Sequence, residues 1–113
     1  SGDPDVYRRV TGAELEPTLR FAERLRAMDK PVWVRFVLVP GLTDDVANIE
    51  AVARIVAPMR NVEWVDVLPL HQMGEFKWKS LGLDYKLAAT PVPTDQQVRA
   101  ALDIFHRAGC RAR

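Results

Sequence analysis

Two side chains in this sequence stand where a protein can do chemistry. His71 follows an apolar run, Val65-Asp66-Val67-Leu68-Pro69-Leu70, and precedes the stretch Gln72-Met73-Gly74-Glu75-Phe76-Lys77-Trp78. In α/β proteins the carboxyl ends of parallel strands are where ligands bind, because side chains and free backbone N–H groups converge there. An imidazole at that point can hydrogen-bond or stack against a ligand ring, or it can simply cap the strand. Arg35 is the second, set inside Val32-Trp33-Val34-Arg35-Phe36-Val37-Leu38-Val39. A guanidinium among such neighbours is costly to bury without an anionic partner. Strand alternation puts it on one face with Trp33, Val37 and Val39. If that face looks into a cavity, Arg35 is a clamp for a carboxylate or a carbonyl of a ligand. The alternative is a structural arginine, paired with a core carboxylate or reaching water from an edge strand.

Other chemistries find less support. No second His or Cys stands at metal-ligand spacing from His71, and His106 falls in a later helical stretch, where a surface position is expected. Cys110 is the one cysteine, which excludes an internal disulfide framework and a Cys-based metal cage made by these residues alone. No Ser-His-Asp order, P-loop or G-x-G-x-x-G occurs, and Asp44-Asp45 reads most simply as a helix start. Sixteen Lys and Arg against fifteen Asp and Glu leave a formal net charge of +1, which points to neither nucleic acid nor a membrane surface. No apolar run approaches the roughly 18 residues a membrane span needs, and no signal peptide is visible, so the cytoplasm is the expected location.

The elements that must position these residues can be read from pattern. Ser1 to Gly12 is polar and rich in turn formers, a loop with one short helical turn around Asp5–Arg9. From about Glu14 to Asp29, Leu15, Leu19, Ala22, Leu25 and Met28 recur at helical spacing, with Pro17 tolerated in the first turn. Lys30-Pro31 ends that helix. Val32 to Val39 is nearly continuously apolar, as in a parallel strand buried on both faces, and Pro40-Gly41 stops it. Thr43 or Asp44 can cap the next helix, whose stripe is Val46, Ile49, Val52, Ala53 and Val56. A second strand runs from Val62 to about Leu70, where His71 shares strand parity with Glu63, Val65, Val67 and Pro69. Strand, helix and strand in this order make a βαβ unit.

Gly74 to Pro93 is a long irregular segment carrying Lys77, Trp78, Tyr85 and Lys86. A loop of that length usually has a functional reason, or is packed by its own Trp78, Leu83 and Tyr85. Thr94-Asp95-Gln96-Gln97 has capping-box spacing before a face of Val98, Ala101, Leu102 and Phe105, which Gly109 ends. With 113 residues, 48% of them hydrophobic, the chain is at most one domain. Two strands cannot close a barrel. Residues 1–113 therefore read as the carboxyl-terminal segment of a larger (β/α) enzyme with no complete domain boundary inside, and a small free-standing α/β module is the other reading.

The run Trp33-Val34-Arg35-Phe36-Val37-Leu38-Val39-Pro40-Gly41, then Asn61-Val62-Glu63, then Leu68-Pro69-Leu70-His71-Gln72-Met73-Gly74 with Lys77-Trp78, then Tyr85-Lys86-Leu87 closely resembles the pyruvate formate-lyase activating enzymes. These form a family of radical S-adenosylmethionine (SAM) glycyl-radical-enzyme activases. The resemblance runs from about Asp3 to Gly109, with the motifs in the same order and at similar spacing.

The resemblance implies an α/β fold that is the carboxyl-terminal portion of a partial (β/α)6, TIM-barrel-like radical SAM barrel, with parallel strands at about 32–39 and 62–70. It implies SAM and a 4Fe-4S cluster as cofactors. In the family the reduced cluster cleaves SAM, and the resulting radical abstracts hydrogen from a backbone glycine of a pyruvate formate-lyase-like partner. An electron donor such as flavodoxin is implied too, in an oxidoreductase of anaerobic metabolism. His71 matches the family's strand-end histidine that contacts SAM, and Arg35 matches a strand arginine near SAM and the substrate peptide. Val37 and Leu68 are candidates for packing against the adenosine, and Lys77 and Trp78 for holding the substrate protein. The cluster motif CxxxCxxC is absent, and Leu70 stands where an aromatic is common in the family. The chain alone is therefore expected to be inactive. Two rival readings are a non-catalytic α/β protein-interaction module, and a conventional barrel segment using Arg35 to hold a phosphate or carboxylate.

Overall fold

In a computed structural model of the chain, residues 1–70 and 90–113 are described. The elements are α1 (Pro4–Thr11), α2 (Glu16–Ala27), β1 (Val32–Leu38), α3 (Val46–Val56), β2 (Val62–Pro69) and α4 (Asp95–Arg107). β1 and β2 are parallel neighbours, as the βαβ pattern requires. One irregularity between Val32 and Trp33 lets Trp33 pair with Trp64, and from there the register runs evenly to Leu38 opposite Pro69.

The core forms on one face of this pair. Phe36, Leu38, Val65 and Val67 alternate inward and meet Ile49, Val52, Ala53 and Val56 of α3 and Ala101, Ile104 and Phe105 of α4. Phe36 and Phe105 pack edge to face, ring centroids 5.7 Å apart. No described element packs on the other face. Trp33, Val37 and Leu68 are exposed there, as is Arg35. The expectation that β1 is buried on both faces is therefore corrected: within the described residues its continuous apolarity exceeds what its own helices cover.

Local chemistry explains the element ends, some of them against expectation. The short helical turn expected around Asp5–Arg9 is longer, a helix over Pro4–Thr11, started by the Asp3 carboxylate, which accepts from the Asp5 and Val6 N–H groups at 2.8 and 3.2 Å. Pro4 sits in the first turn, and Gly12 closes α1 with φ 73°. α2 buries none of its own residues: Leu15, just before it, is buried, while Leu19 and Met28 are exposed. The predicted five-residue stripe is only partly used. Asp45, rather than Thr43 or Asp44, caps α3 by accepting from Ala47 N–H. Thr43 turns inward instead, accepting from Val39 N–H and donating to the Val37 carbonyl, both at 2.8 Å. The capping box of Thr94 and Gln97 is present as predicted, and α4 ends before Gly109, at φ 92°.

Buried Asn48 ties the amino-terminal segment down. Its Oδ1 accepts from Gly2 and Asp3 N–H at 3.0 and 3.1 Å, and its Nδ2 donates to the Thr43 carbonyl. Gly2 comes so close to α3 that an added Cβ would lie 2.5 Å from Val52 N.

The sequence offered no sign of a third strand-like segment. Residues 110–113 run parallel to β2 on the side away from β1. Val65 N–H donates to the Arg111 carbonyl, Arg113 N–H to the Val65 carbonyl, and Val67 N–H to the Arg113 carbonyl, at 2.7 to 3.0 Å. His106 Nε2, 2.8 Å from the Ala112 carbonyl, fastens this tail to α4. His106 is exposed, as expected.

Candidate functional site

The open face is built from three cross-strand pairs: Trp33 with Trp64, Arg35 with Asp66, and Val37 with Leu68. Parallel pairing sets them in a row from the amino to the carboxyl ends of the strands. Each step has a different character.

At the amino end, Trp33 Nε1 donates to Glu63 Oε2 at 2.7 Å. The Arg113 guanidinium lies over both indoles, its Cζ 4.4 Å from the Trp64 ring centroid and 5.3 Å from that of Trp33. Such distances are those of a cation on an aromatic face. In the middle, Asp66 accepts from Arg113 Nε at 2.9 Å. Arg35, directly across the ladder from Asp66, is exposed and makes no ion pair or hydrogen bond with any other described residue. Of the arrangements the sequence allowed, pairing with a core carboxylate is not found among the described residues, and the guanidinium is open. At the carboxyl end, Val37 and Leu68 form an apolar patch, 45% and 37% exposed.

The structure thus brings Arg35, Val37 and Leu68 together on one surface. His71, Lys77 and Trp78, with Tyr85 and Lys86, lie outside the described residues. The parity assigned to His71 can be followed only as far as Leu70. Val65 and Val67 are buried, but Pro69 is exposed and Leu70 is buried, so alternation breaks at the strand end. Leu70 N–H still reaches the Leu38 carbonyl at 3.0 Å, which extends the ladder by one bond.

The face suits some ligand groups and not others. A guanidinium with no partner among the described residues, beside an exposed apolar pair, fits a ligand with a carboxylate at one end and a flat aromatic ring at the other, as SAM has. An iron–sulfur cluster is a different case, because it is held by several thiolates. The chain has one cysteine, and among the described residues no group of three or more His, Cys, Asp or Glu could hold a metal. Cluster ligands are not supplied here. Arg113, Trp64 and Glu63 were missed by sequence reading as site-forming residues. The alternation of β2 could have flagged Trp64, but nothing in the last four residues signals a strand.

No protein-family model matches the chain. Curated relatives do. The chain is 41% identical over 104 residues to the pyruvate formate-lyase-activating enzyme of Streptococcus mutans, which is 92% of this chain and 40% of that protein. The pyruvate formate-lyase-activating enzyme of Staphylococcus aureus is 41% identical over 99 residues, 88% of this chain and 39% of its own length. Among solved structures, a domain of the pyruvate-formate lyase-activating enzyme of Bacteroides vulgatus superposes with a TM-score of 0.78, covering 98% of this chain and 60% of that one at 21% identity. At that identity the likeness speaks for the fold. The chain spans about 40% of the length of the curated relatives it matches. In sequence and in fold, this chain is a relative of the pyruvate formate-lyase-activating enzymes and corresponds to a carboxyl-terminal portion of them.

Proposed function

We propose that this chain forms the last two strands and the flanking helices of a partial (β/α)6 barrel, in a radical SAM activase that generates a glycyl radical on a pyruvate formate-lyase-like enzyme. One observation carries the reading: Arg35, which pairs with no other described residue, adjoins the exposed Val37–Leu68 pair on one face of two parallel strands. In a complete barrel that face turns inward, and its carboxyl end is where ligands of such folds sit.

Each residue then has a part. Arg35 holds the SAM carboxylate or a carbonyl of the substrate peptide through its planar fork of donors. Val37 and Leu68 pack against the adenosine and exclude water from it. His71, two residues past the end of β2, hydrogen-bonds or stacks against SAM. Lys77 and Trp78 contact the substrate protein at the barrel rim. SAM, when bound, supplies the chemistry that removes a hydrogen atom from a glycine. The 4Fe-4S cluster and the site for an electron donor such as flavodoxin belong to parts of the protein beyond these residues.

The test is SAM binding, measured by calorimetry in a protein of the relatives' length. Arg35→Gln and His71→Ala should each weaken binding by about 1–3 kcal/mol, the scale of one lost hydrogen bond to a charged or buried partner. If neither changes affinity, the SAM reading of this face is wrong, and the protein-interaction module becomes the better account.

A further inference from the structure

Asp66 and Arg35 are direct cross-strand neighbours on the open face. Opposite charges so placed ordinarily pair. Here the carboxylate is engaged elsewhere, by Arg113 Nε at 2.9 Å, and the Arg35 guanidinium pairs with no described residue. Arg113 is fixed by more than this one bond. Its guanidinium lies against Trp64 and Trp33, and Trp33 is itself held by Glu63. Its backbone is locked to β2 on both sides of Asp66, its N–H donating to the Val65 carbonyl and its carbonyl accepting from Val67 N–H. The Asp66 side chain is 17% exposed and that of Arg113 49%.

We propose that Arg113 is a positioning residue: by occupying Asp66 it keeps that carboxylate from closing on Arg35, and so holds the Arg35 guanidinium open for an anionic group of a ligand. The proposal rests on the reading of Arg35 as a ligand clamp and adds what keeps the clamp open. Arg113 itself touches no ligand. It acts through Asp66, and the two tryptophans act by holding Arg113. A guanidinium suits this place because it can stack on indole and donate in its own plane at the same time, whereas an ammonium offers only a point charge.

The experiment follows the Arg35 side chain directly, by its Nε–H resonance in a protein of the relatives' length. In Arg113→Gln, Asp66 turns to Arg35, so the Arg35 signal should shift and its hydrogen exchange should slow. Adding Asp66→Asn should reverse both changes, and Arg113→Lys should fall between wild type and Arg113→Gln. SAM affinity by calorimetry should drop about two- to fivefold in Arg113→Gln, the size of one cross-strand charge pair, and recover in the double variant. An Arg35 resonance indifferent to Arg113→Gln overturns the proposal, as does an affinity loss that Asp66→Asn fails to repair. If the resonance responds as expected while Arg35→Gln leaves SAM affinity unchanged, the positioning by Arg113 is upheld and the clamp reading of Arg35 falls.

Discussion

Val37 and Leu68 face one another across adjacent parallel strands, one same-face step beyond Arg35 and Asp66, and neither has a hydrophobic layer over it among the described residues. The pair joins a polar centre to an apolar carboxyl end. It also leaves Trp33, Val37 and Leu68 exposed on one surface, beside a β1 whose second edge is unpaired among the described residues.

Exposed apolar surface beside an open strand edge favours association. The 113-residue chain should sediment or scatter light as oligomers or aggregates, and Val37→Lys with Leu68→Lys should shift it toward monomer. A monodisperse, cooperatively unfolding monomer of the unaltered chain would count against its being part of a larger barrel. Association unchanged by the two lysines would place the contact on the β1 edge instead.

The helices are not equally embedded, and denaturant unfolding should show it. Phe105 is fully buried against Phe36, so Phe105→Ala should cost about 3–5 kcal/mol. Leu19, on the α2 stripe, is 36% exposed and should cost less than about 1 kcal/mol when changed to Ala. Equal costs would mean that α2 packs far more tightly than this structure has it.

Lys77, proposed to contact the substrate protein, and Lys86 belong to the same Gly74–Pro93 segment. Replacing both with Ala in a protein of the relatives' length should leave SAM cleavage in the absence of the partner unchanged and reduce activation of the partner. A parallel loss of both activities, or of neither, would remove the segment from partner recognition.

Burial pushes the Cys110 thiol above its usual value. Below the ordinary thiol range, near pH ~8.5, folded and unfolded chains both keep the proton and this group adds no pH dependence. As pH rises past that range the unfolded chain ionises first, so stability falls until the folded thiol also titrates. Unfolding midpoints measured from neutral pH upward should decline more steeply for the native chain than for Cys110→Ala. At neutral pH the protonated, half-buried thiol should alkylate more slowly than a free thiol. Identical alkaline slopes, or alkylation as fast as a model thiol, would contradict this account of Cys110.

Much of the frame was legible from local pattern. The β-branched runs marked β1 and β2, the 3.6-residue stripes marked α2, α3 and α4, and Thr94, Gln97 and Gly109 marked where α4 starts and stops. Alternation alone placed Arg35 with Trp33 and Val37. The family resemblance, carried by the runs around Arg35 and His71, agrees with the relatives found. These signals are local: they report backbone conformation and which residues share a face.

Tertiary structure decided what local signals cannot carry. The irregularity after Val32 sets the register, and with it whether Val37 meets Leu68 or a neighbour. The break in alternation at Pro69 and Leu70 comes from burying Leu70 at the strand end, which no period in the sequence records. Thr43 reads as a helix cap until the backbone groups of Val37 and Val39 turn out to need its hydroxyl. The tail at residues 110–113 is too short to show a period, and it becomes strand-like only because β2 offers it a free edge. That pairing brings Arg113 to Asp66, and the choice of Asp66 between two arginines is a competition in space, settled by packing between residues far apart in the chain.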